Sequence, residues 1–265
     1  MQLDSPAKVN LSLKVGPLDS SGYHPVDTLI HLLAFGDTVT IADADRLTVT
    51  CSRDLGIDPT ENLAYRAAER MGVTFDRPTD VAIHIEKRIP HGAGLGGGSS
   101  NAATVVRALA ERWQVPLDDE RVVSVARELG SDVAAFLAPT ACSHLVGRGD
   151  TLAASLQARS GLPLVLAIEQ GAFASTAAVY RMFDTIGPAS PTLPFVNDLA
   201  DASQAVCEAT RRTLEWLRAQ PQTDSAQVCG SGAACFAVAE STDDAVQLAH
   251  AARDHGFWSE ATTLL

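Results

Sequence analysis

The feature that most constrains this chain is a glycine run at residues 90–103, which read PHGAGLGGGSSNAA and include five glycines. Glycine loses more conformational freedom on folding than other residues, so such a cluster indicates that the backbone itself must approach another group. The next segment, SNAATVVRALAERW at residues 100–113, has the apolar spacing of an amphipathic helix. The glycines therefore open a helix, where free amides and the helix dipole favour an anion such as phosphate.

Known glycine-rich motifs fit this segment poorly. Gly92, Gly94 and Gly97 satisfy G-x-G-x-x-G. The preceding segment DVAIHIEKRIP, however, alternates apolar and polar residues, unlike the buried strand of a Rossmann fold. A Walker A loop requires a lysine that this run does not contain, and a protein-kinase loop joins two strands instead of opening a helix. A flexible loop and a phosphate-binding loop remain, and the adjoining helix favours phosphate.

Charge and composition exclude several classes of function. The formal net charge of −12 counts against a general nucleic-acid surface and against an anionic-membrane anchor. No apolar stretch approaches the roughly 18 residues that span a bilayer, so we expect no membrane partner. The five cysteines include no CxxC pair, and MQLDSPAKVN lacks the apolar core of a signal peptide. These features predict a cytoplasmic protein with reduced thiols.

Periodicity predicts a mixed α/β chain with a division near residues 150–160, placed between 152 and 153. AKVNLSLKV at residues 7–15 alternates at period two, as a half-buried strand does. Further strands are predicted at 28–35, 37–43, 46–52, 80–90, 162–169 and 257–265, with two more at 226–240 joined by a Gly-Ser-Gly turn. Helices are predicted at 61–72 (with Gly72 as C-cap), 100–113, 118–129, 175–187, 197–220 and 241–256, and a further helix in ELGSDVAAFLA at 128–138 begins after a Ser-Asp cap position.

Five fragments occur in an order typical of one family. They are SPAKVN at 5–10, GYH at 22–24, IPHGAGLGGGSSNAA at 89–103, LGSDVAAF at 129–136 and CGSGAACF at 229–236. With them the chain resembles the GHMP small-molecule kinases over nearly its whole length. The resemblance implies an α/β (α+β) fold of two domains, an N-terminal ATP-binding domain at 1–152 and a C-terminal ferredoxin-like substrate domain at 153–265.

The combination of PAKVN, GYH and LGSDV resembles one branch of these kinases more than the others. That branch phosphorylates the 2-hydroxyl of a cytidine diphosphate-linked methylerythritol with ATP and Mg²⁺, in the non-mevalonate (methylerythritol phosphate) isoprenoid pathway. Another GHMP kinase, acting on homoserine, mevalonate or a sugar, is the alternative, as is a catalytically silent nucleotide-binding homologue. The sequence is compatible with a homodimer.

The resemblance assigns the catalytic groups. Asp132 matches the aspartate that acts as general base, and Lys8 matches the lysine beside it that offsets charge on the transferring phosphoryl group. Phosphoryl transfer depends mainly on positioning and charge stabilisation, so these groups and backbone amides suffice. Asn10 matches a residue that orients the substrate hydroxyls, and its spacing puts it on the same strand face as Lys8. Without the resemblance, Lys8 and Asn10 fit a solvated strand face, and Asp132 fits a helix N-cap.

Substrate recognition is assigned to aromatic residues. Tyr23 and His24 match a pair that recognises cytosine, one by stacking and one by hydrogen bonding. Tyr180 falls where relatives place an aromatic ring on the other face of the base, and Thr176 lies near the substrate. Tyr180 also fits ordinary core packing, because aromatic residues at helical spacing are commonly core. Ile30 stands where relatives usually have an aromatic residue lining the pocket.

The remaining assignments concern ATP and the third motif. Asn62 and Lys87 match positions lining the adenine pocket, and Ser99 and Ser100 are candidate Mg²⁺ ligands, with no metal ligand certain. Gly230, Ser231 and Gly232 would close over the substrate or the phosphates from the second domain. The residues assigned to ATP are Asn62, Lys87, Pro90, Gly92, Gly94, Leu95, Gly96, Gly97, Gly98, Ser99, Ser100 and Asn101.

Overall fold

The computed structural model describes residues 1–191 and 193–265. Its strands are β1 Gln2–Val15, β2 Val26–Asp43, β3 Thr48–Cys51, β4 Val81–Glu86, β5 Cys142–Val146, β6 Thr151–Leu156, β7 Pro163–Glu169, β8 Val196–Asn197, β9 Thr223–Val228, β10 Cys235–Ala239 and β11 Phe257–Thr263. Its helices are α1 Leu63–Phe75, α2 Gly97–Trp113, α3 Glu120–Leu129, α4 Val133–Leu137, α5 Thr176–Ile186, α6 Ala200–Val206, α7 Glu208–Arg218 and α8 Thr242–Asp254, with a 3₁₀ turn at Pro59–Glu61.

The first sheet is built around the long strand β2. Its order is β3-β4-β2-β1-β8, and β5 and β6 continue it from the other part of β2. The prediction of separate strands at 28–35 and 37–43 is wrong, because β2 runs through both. Between the pairs Pro6–Gly36 and Lys8–Leu32, β2 has three residues where β1 has one. The strand therefore bulges here without ending.

The second sheet has the order β11-β7-β10-β9 and is antiparallel throughout. With helices between β7 and β9 and between β10 and β11, this is the predicted ferredoxin-like arrangement. The prediction of one helix over 197–220 is wrong, because Cys207 is extended and separates α6 from α7. The break lets Ala202 pack in the core shared by both sheets, while Leu214 and Leu217 pack on the second sheet alone.

The end of α1, which packs with the first sheet, also differs from the prediction. Gly72 does not cap α1, which continues to Phe75 and ends at the left-handed residue Asp76. Gly72 is buried within the helix, and a Cβ there would meet Thr79 and the Arg77 carbonyl of the returning chain. Among the helices that the structure describes, none is long and apolar enough to cross a bilayer.

Each sheet with its helices forms one unit of the molecule. The two units share a core and a boundary region. One cluster joins Ala7 and Val9 of β1 to Leu164 and Leu166 of β7 and to Phe236 of β10. Strand β6 pairs with β5, so the first sheet continues to residue 156, and β8 returns later to pair with β1. The division between residues 152 and 153 stays a prediction, and this pairing supports a position for it within 157–162.

Candidate active site

A cleft of about 690 Å³ opens between the two units. It collects segments far apart in sequence: β1, the glycine run, the loop before β2, the start of α4, the start of α5 and the loop before β10. Predicted site residues that line it are Lys8, Asn10, Tyr23, His24, Gly94, Gly96, Ser99, Asp132, Thr176, Tyr180, Gly230 and Ser231. The fold therefore brings the predicted catalytic, substrate and third-motif groups to one cavity.

The polar end of this cleft comprises Lys8, Asn10, Asp132 and the loop 92–98. The Lys8 ammonium lies 3.3 Å from Asp132 Oδ2 and donates a hydrogen bond of 2.8 Å to Asn10 Oδ1. Lys8 and Asn10 are only 3% and 4% exposed, so they do not lie on a solvent-exposed face of the strand, the alternative that the sequence left open. A buried ammonium with two oxygen partners keeps a fixed position, which suits charge stabilisation in the cleft.

Asn10 is itself held by the neighbouring strand. Its Nδ2 donates to Thr28 Oγ1 at 2.8 Å, and the Thr28 hydroxyl donates to the Ser12 carbonyl at 2.7 Å. The amide oxygen of Asn10 is thereby turned toward Lys8. Thr28 was not predicted from the sequence, because its partner lies 18 residues away on β1.

Asp132 stands at the N-cap position of α4 but makes no capping hydrogen bond with its side chain. Its carboxylate faces Lys8 and is about one-third exposed to the cleft. A helix cap alone therefore does not explain this residue. A partly open carboxylate beside a buried cation has the geometry of a general base that substrate can reach.

The glycine run packs backbone against backbone on the third motif. Gly94 has a φ of +79°, and a Cβ there would meet the Cys229 carbonyl oxygen. The Ala234 N–H donates to the Ala93 carbonyl at 3.1 Å, and the Lys8 N–H donates to the Leu95 carbonyl at 3.1 Å. A residue other than glycine at position 94 would force these segments apart.

Gly230 brings the third motif to the catalytic pair. Its φ is +57°, and a Cβ there would lie 3.3 Å from Lys8 Nζ and 3.2 Å from Asn10 Oδ1. Asn197, which the sequence did not single out, donates to the Gly230 carbonyl at 2.8 Å and to the Val228 carbonyl at 3.0 Å. Because Asn197 lies on β8 beside β1, it fixes the second unit's loop over the polar end.

A buried network of hydrogen bonds lies beneath the glycine run and centres on Asp37, another residue that the sequence did not indicate. Asp37 Oδ2 lies 2.5 Å from Lys87 Nζ and accepts from Asn101 Nδ2 at 3.0 Å, while Oδ1 accepts the backbone N–H groups of Arg88 and Ile89. Burial lowers the pKa of Lys87, and the carboxylate of Asp37 opposes that change. The network joins β2 to the second turn of α2, at Asn101.

Several residues assigned to ATP lie in or near this network, outside the lining of the cleft. Ser100 is fully buried and accepts from Ser5 Oγ at 2.9 Å, while Asn101 Nδ2 also donates to Ser5 Oγ at 2.8 Å. Asn62 caps α1 by accepting from the Ala64 N–H. Leu95 is buried, and the others outside the lining are Lys87, Pro90, Gly92, Gly97 and Gly98. Contact of these residues with ATP stays a prediction.

The aromatic end of the cleft comprises Tyr23, His24 and Tyr180. His24 is stacked on Tyr180, with ring centroids 5.5 Å apart and planes at 28°. Nδ1 of His24 lies 2.8 Å from the Gly16 carbonyl oxygen, and Nε2 lies 3.0 Å from Asp184 Oδ1. Tyr23 is 53% exposed at the mouth of the cleft. Three rings lining one end of a cavity suit a flat heterocycle.

Tyr180 has both of the positions that the sequence allowed, beside the substrate cleft and in the core. It lines the cleft and also packs against the core shared by both sheets. Burial, with a smaller contribution from the charge of Asp132, raises the pKa of its phenol to about 12. The ring therefore stays neutral at physiological pH. Thr176, one turn earlier, places its hydroxyl 3.0 Å from Ser231 Oγ.

Two further residues, Ile30 and Arg148, lie where the sequence analysis did not place them. Ile30 is buried against Ala135 and Leu145, behind the cleft, so it does not take the pocket-lining place of the aromatic residue in relatives. Arg148 lines the cleft and holds its guanidinium carbon 3.7 Å from the Tyr23 ring centroid. No sequence signal pointed to Arg148, since the two residues are 125 positions apart.

The metal-ligating side chains near the cleft decide whether Mg²⁺ fits there. Within residues 1–191 and 193–265, no three His, Cys, Asp or Glu side chains form a group that could hold a metal. Mg²⁺ commonly keeps several waters and uses substrate phosphates with one or two protein oxygens. The Ser99 hydroxyl in the cleft therefore fits Mg²⁺ that enters with a nucleotide, and a dedicated protein cage is not required.

Comparison with known proteins identifies the class. The family model described as GHMP kinases N terminal domain matches residues 62–139, and that described as GHMP kinases C terminal matches residues 194–257. A solved mevalonate kinase covers 100% of this chain and 99% of its own with a TM-score of 0.71 at 10% identity, which supports the fold alone. Fold and family models thus define a GHMP kinase.

More similar relatives narrow the family. A 4-diphosphocytidyl-2-C-methyl-D-erythritol kinase of Salinibacter ruber is 34% identical over 90% of both chains. A crystal structure of a 4-(cytidine 5'-diphospho)-2C-methyl-D-erythritol kinase has a TM-score of 0.83 at 32% identity and covers 100% of this chain and 99% of its own. This chain belongs to the family of 4-diphosphocytidyl-2-C-methyl-D-erythritol kinases, within the GHMP kinases.

Proposed function

We propose that this chain transfers the γ-phosphoryl group of ATP to the 2-hydroxyl of 4-diphosphocytidyl-2-C-methyl-D-erythritol. The observation that carries the proposal is the Lys8–Asp132 pair, 3.3 Å apart, between a glycine loop at a helix start and a group of aromatic rings. The substrate is the one in the names of the relatives. The polar end suits phosphoryl transfer, and the aromatic end suits cytosine.

In the proposed reaction, the Asp132 carboxylate accepts the proton of the substrate 2-hydroxyl. The hydroxyl oxygen attacks the γ-phosphorus of ATP, and ADP leaves. The Lys8 ammonium offsets the charge of the transferring group. Asn10, held by Thr28, keeps Lys8 directed to this point. Amides of the glycine loop and of the first turn of α2 bind the phosphates of ATP.

Mg²⁺ bound with ATP would neutralise charge on the phosphates; of the two candidate ligands, Ser99 lines the cleft and would hold the ion, whereas Ser100 is buried. The five cysteines are all free, which supports the predicted cytoplasmic location. The homodimer stays a prediction, and sedimentation analysis of the purified protein would test it.

Purified protein with Mg²⁺-ATP should release ADP with the cytidyl substrate and not with mevalonate, homoserine or a sugar. The product should carry one added phosphoryl group on the 2-hydroxyl by mass and ³¹P NMR spectroscopy. ADP release with mevalonate or homoserine instead would identify another GHMP kinase. ATP binding without transfer to any of these acceptors would identify a silent homologue.

A further inference from the structure

The cleft contains a cation that the proposed mechanism does not use. Lys8 is occupied by Asp132 and Asn10 at the polar end. Arg148 also lines the cleft, and among the described residues it forms no direct ion pair. The nearby Asp19, whose pKa is lowered mainly by the Ser21 hydroxyl and to a smaller extent by the charge of Arg148, is linked to Arg148 through that hydroxyl. One guanidinium N–H group, on Nη2, donates to Ser21 Oγ at 3.1 Å. Arginine has five N–H donors, so most of them remain free for a ligand.

Two contacts orient Arg148, which is exposed to solvent and lines the cleft. Its guanidinium carbon lies 3.7 Å from the centroid of the Tyr23 ring, in a cation–π contact. The turn that carries it is joined to β2, because the Val26 N–H donates to the Gly147 carbonyl at 2.7 Å. Arg148 is therefore placed beside the ring predicted to stack on the base.

The proposed substrate needs a cation between the two ends of the cleft. The turn that carries Arg148 reaches from Tyr23 toward the polar end, because a Cβ on Gly149 would lie 3.7 Å from Ser131, the residue before Asp132. Its diphosphate connects the cytidine, bound at the aromatic end, to the polyol, bound at Lys8 and Asp132. The diphosphate must therefore cross the part of the cleft between these ends. Two negative charges entering a protein of net charge −12 require local compensation. A guanidinium, with its planar fork of N–H groups, suits phosphate oxygens better than a single ammonium.

We propose that Arg148 binds the diphosphate of the substrate and makes the cleft select a cytidine diphosphate over cytidine. This inference rests on the proposed function, since it deepens the substrate specificity of the same site. Arg148 is a specificity residue here and takes no part in proton transfer.

The test compares wild-type protein with Arg148→Met, Arg148→Lys and the control Arg121→Met. Arg121 also lies over an aromatic ring, 4.4 Å from the Phe75 centroid, but outside the cleft. The binding of CDP and of cytidine is measured by calorimetry on protein saturated with a non-hydrolysable ATP analogue. Arg148→Met should weaken CDP binding about tenfold or more, as for loss of a charge-assisted hydrogen bond, and leave cytidine binding nearly unchanged. Arg148→Lys should retain part of the CDP affinity, and Arg121→Met should change neither.

Two results would overturn the inference. Equal weakening of CDP and cytidine would mean that Arg148 only steadies Tyr23, and unchanged binding of both would mean that it contacts neither. Thermal melting of each variant shows whether the fold is intact, and Arg148→Lys gives the same comparison with the charge retained. Failure of the proposed function is seen separately, as absence of phosphoryl transfer to the cytidyl substrate by wild-type protein.

Discussion

At the polar end of the cleft Lys8 and Asn10 are buried and joined by a hydrogen bond beside the partly open Asp132, whereas at the aromatic end His24 and Tyr180 meet through a ring contact and Tyr23 is exposed at the mouth. Lys8 is 3% exposed and Tyr23 is 53% exposed. The polar end rests on paired strands and on the Asp37 network, and the aromatic end assembles a loop before β2 and helix α5. The difference indicates that transfer chemistry is preorganised, while recognition depends on side chains that can change without disturbing the fold.

The largest effect should follow from Asp132→Asn at the polar end. Loss of the proton acceptor should lower kcat by about 10²–10⁴-fold while ATP analogue binding is retained, because the glycine loop is unchanged. Steady-state kinetics and calorimetry measure the two quantities. Asp118→Asn, an exposed residue outside the cleft, is the control and should be as active as wild type. Wild-type kcat in Asp132→Asn would assign the base elsewhere.

The preorganisation of the polar end is tested by Asp37→Asn. The change leaves the buried Lys87 ammonium without a carboxylate, which costs about 3–5 kcal/mol of unfolding free energy for a broken buried ion pair. ATP analogue binding should weaken as well, since Asp37 joins β2 to Asn101, one turn after the start of α2. Urea unfolding gives the stability.

The control for Asp37→Asn lies on the same strand. Asp43 is exposed and pairs with Arg112 at 2.7 Å, so Asp43→Asn should change stability by less than about 1 kcal/mol. Equal effects of the two substitutions would mean that the Asp37 network does not stabilise the polar end.

A smaller and different effect is expected from Tyr180→Ala at the aromatic end. Loss of the ring should raise KM for the cytidyl substrate about tenfold, with little change in kcat or in KM for ATP. Tyr180→Phe should keep the wild-type KM, because the phenol, with its pKa of about 12, stays neutral and acts through its ring. A fall in kcat with unchanged KM in Tyr180→Ala would mean that the aromatic end serves the transfer step, and would contradict the assignment of recognition to that end.

The smallest effect concerns stability at low pH and should leave both ends unaltered. His31 is fully buried on β2, and its Nε2 accepts the Arg159 N–H at 3.1 Å. Burial lowers the pKa of His31 below its usual 6.5, so the unfolded chain takes up a proton there before the folded chain does. Stability should therefore fall as pH falls through 6.5, by at most about 1.4 kcal/mol per pH unit for this group.

Urea unfolding at pH 8 and pH 5.5 measures that dependence. His31→Gln should show a smaller difference between the two pH values than wild type, whereas the exposed His250→Gln should match wild type. An identical pH difference in all three proteins would remove His31 from the pH dependence.

Local sequence was a good guide to the elements of the site and a poor guide to their partners. Period-two alternation correctly put Lys8 and Asn10 on one face of β1, and the glycine run does begin a helix. The same alternation suggested a solvated face, because periodicity does not reveal which face another unit covers. Asp37 looks like an ordinary polar strand residue until Lys87, 50 positions later, returns beside it.

The sequence by itself determined the family, the residue types available for catalysis, and the order of most strands and helices, but it did not indicate the strands β5, β6 and β8. These depend on short-range patterns: periodicity, glycine conformation and motif spacing. Tertiary structure alone decided that β2 is one strand, that Ser100 and Asn101 bond beneath the loop, and that Arg148 meets Tyr23. Each of those outcomes depends on residues brought together from distant positions, where packing and charge pairing decide and local preference carries no information.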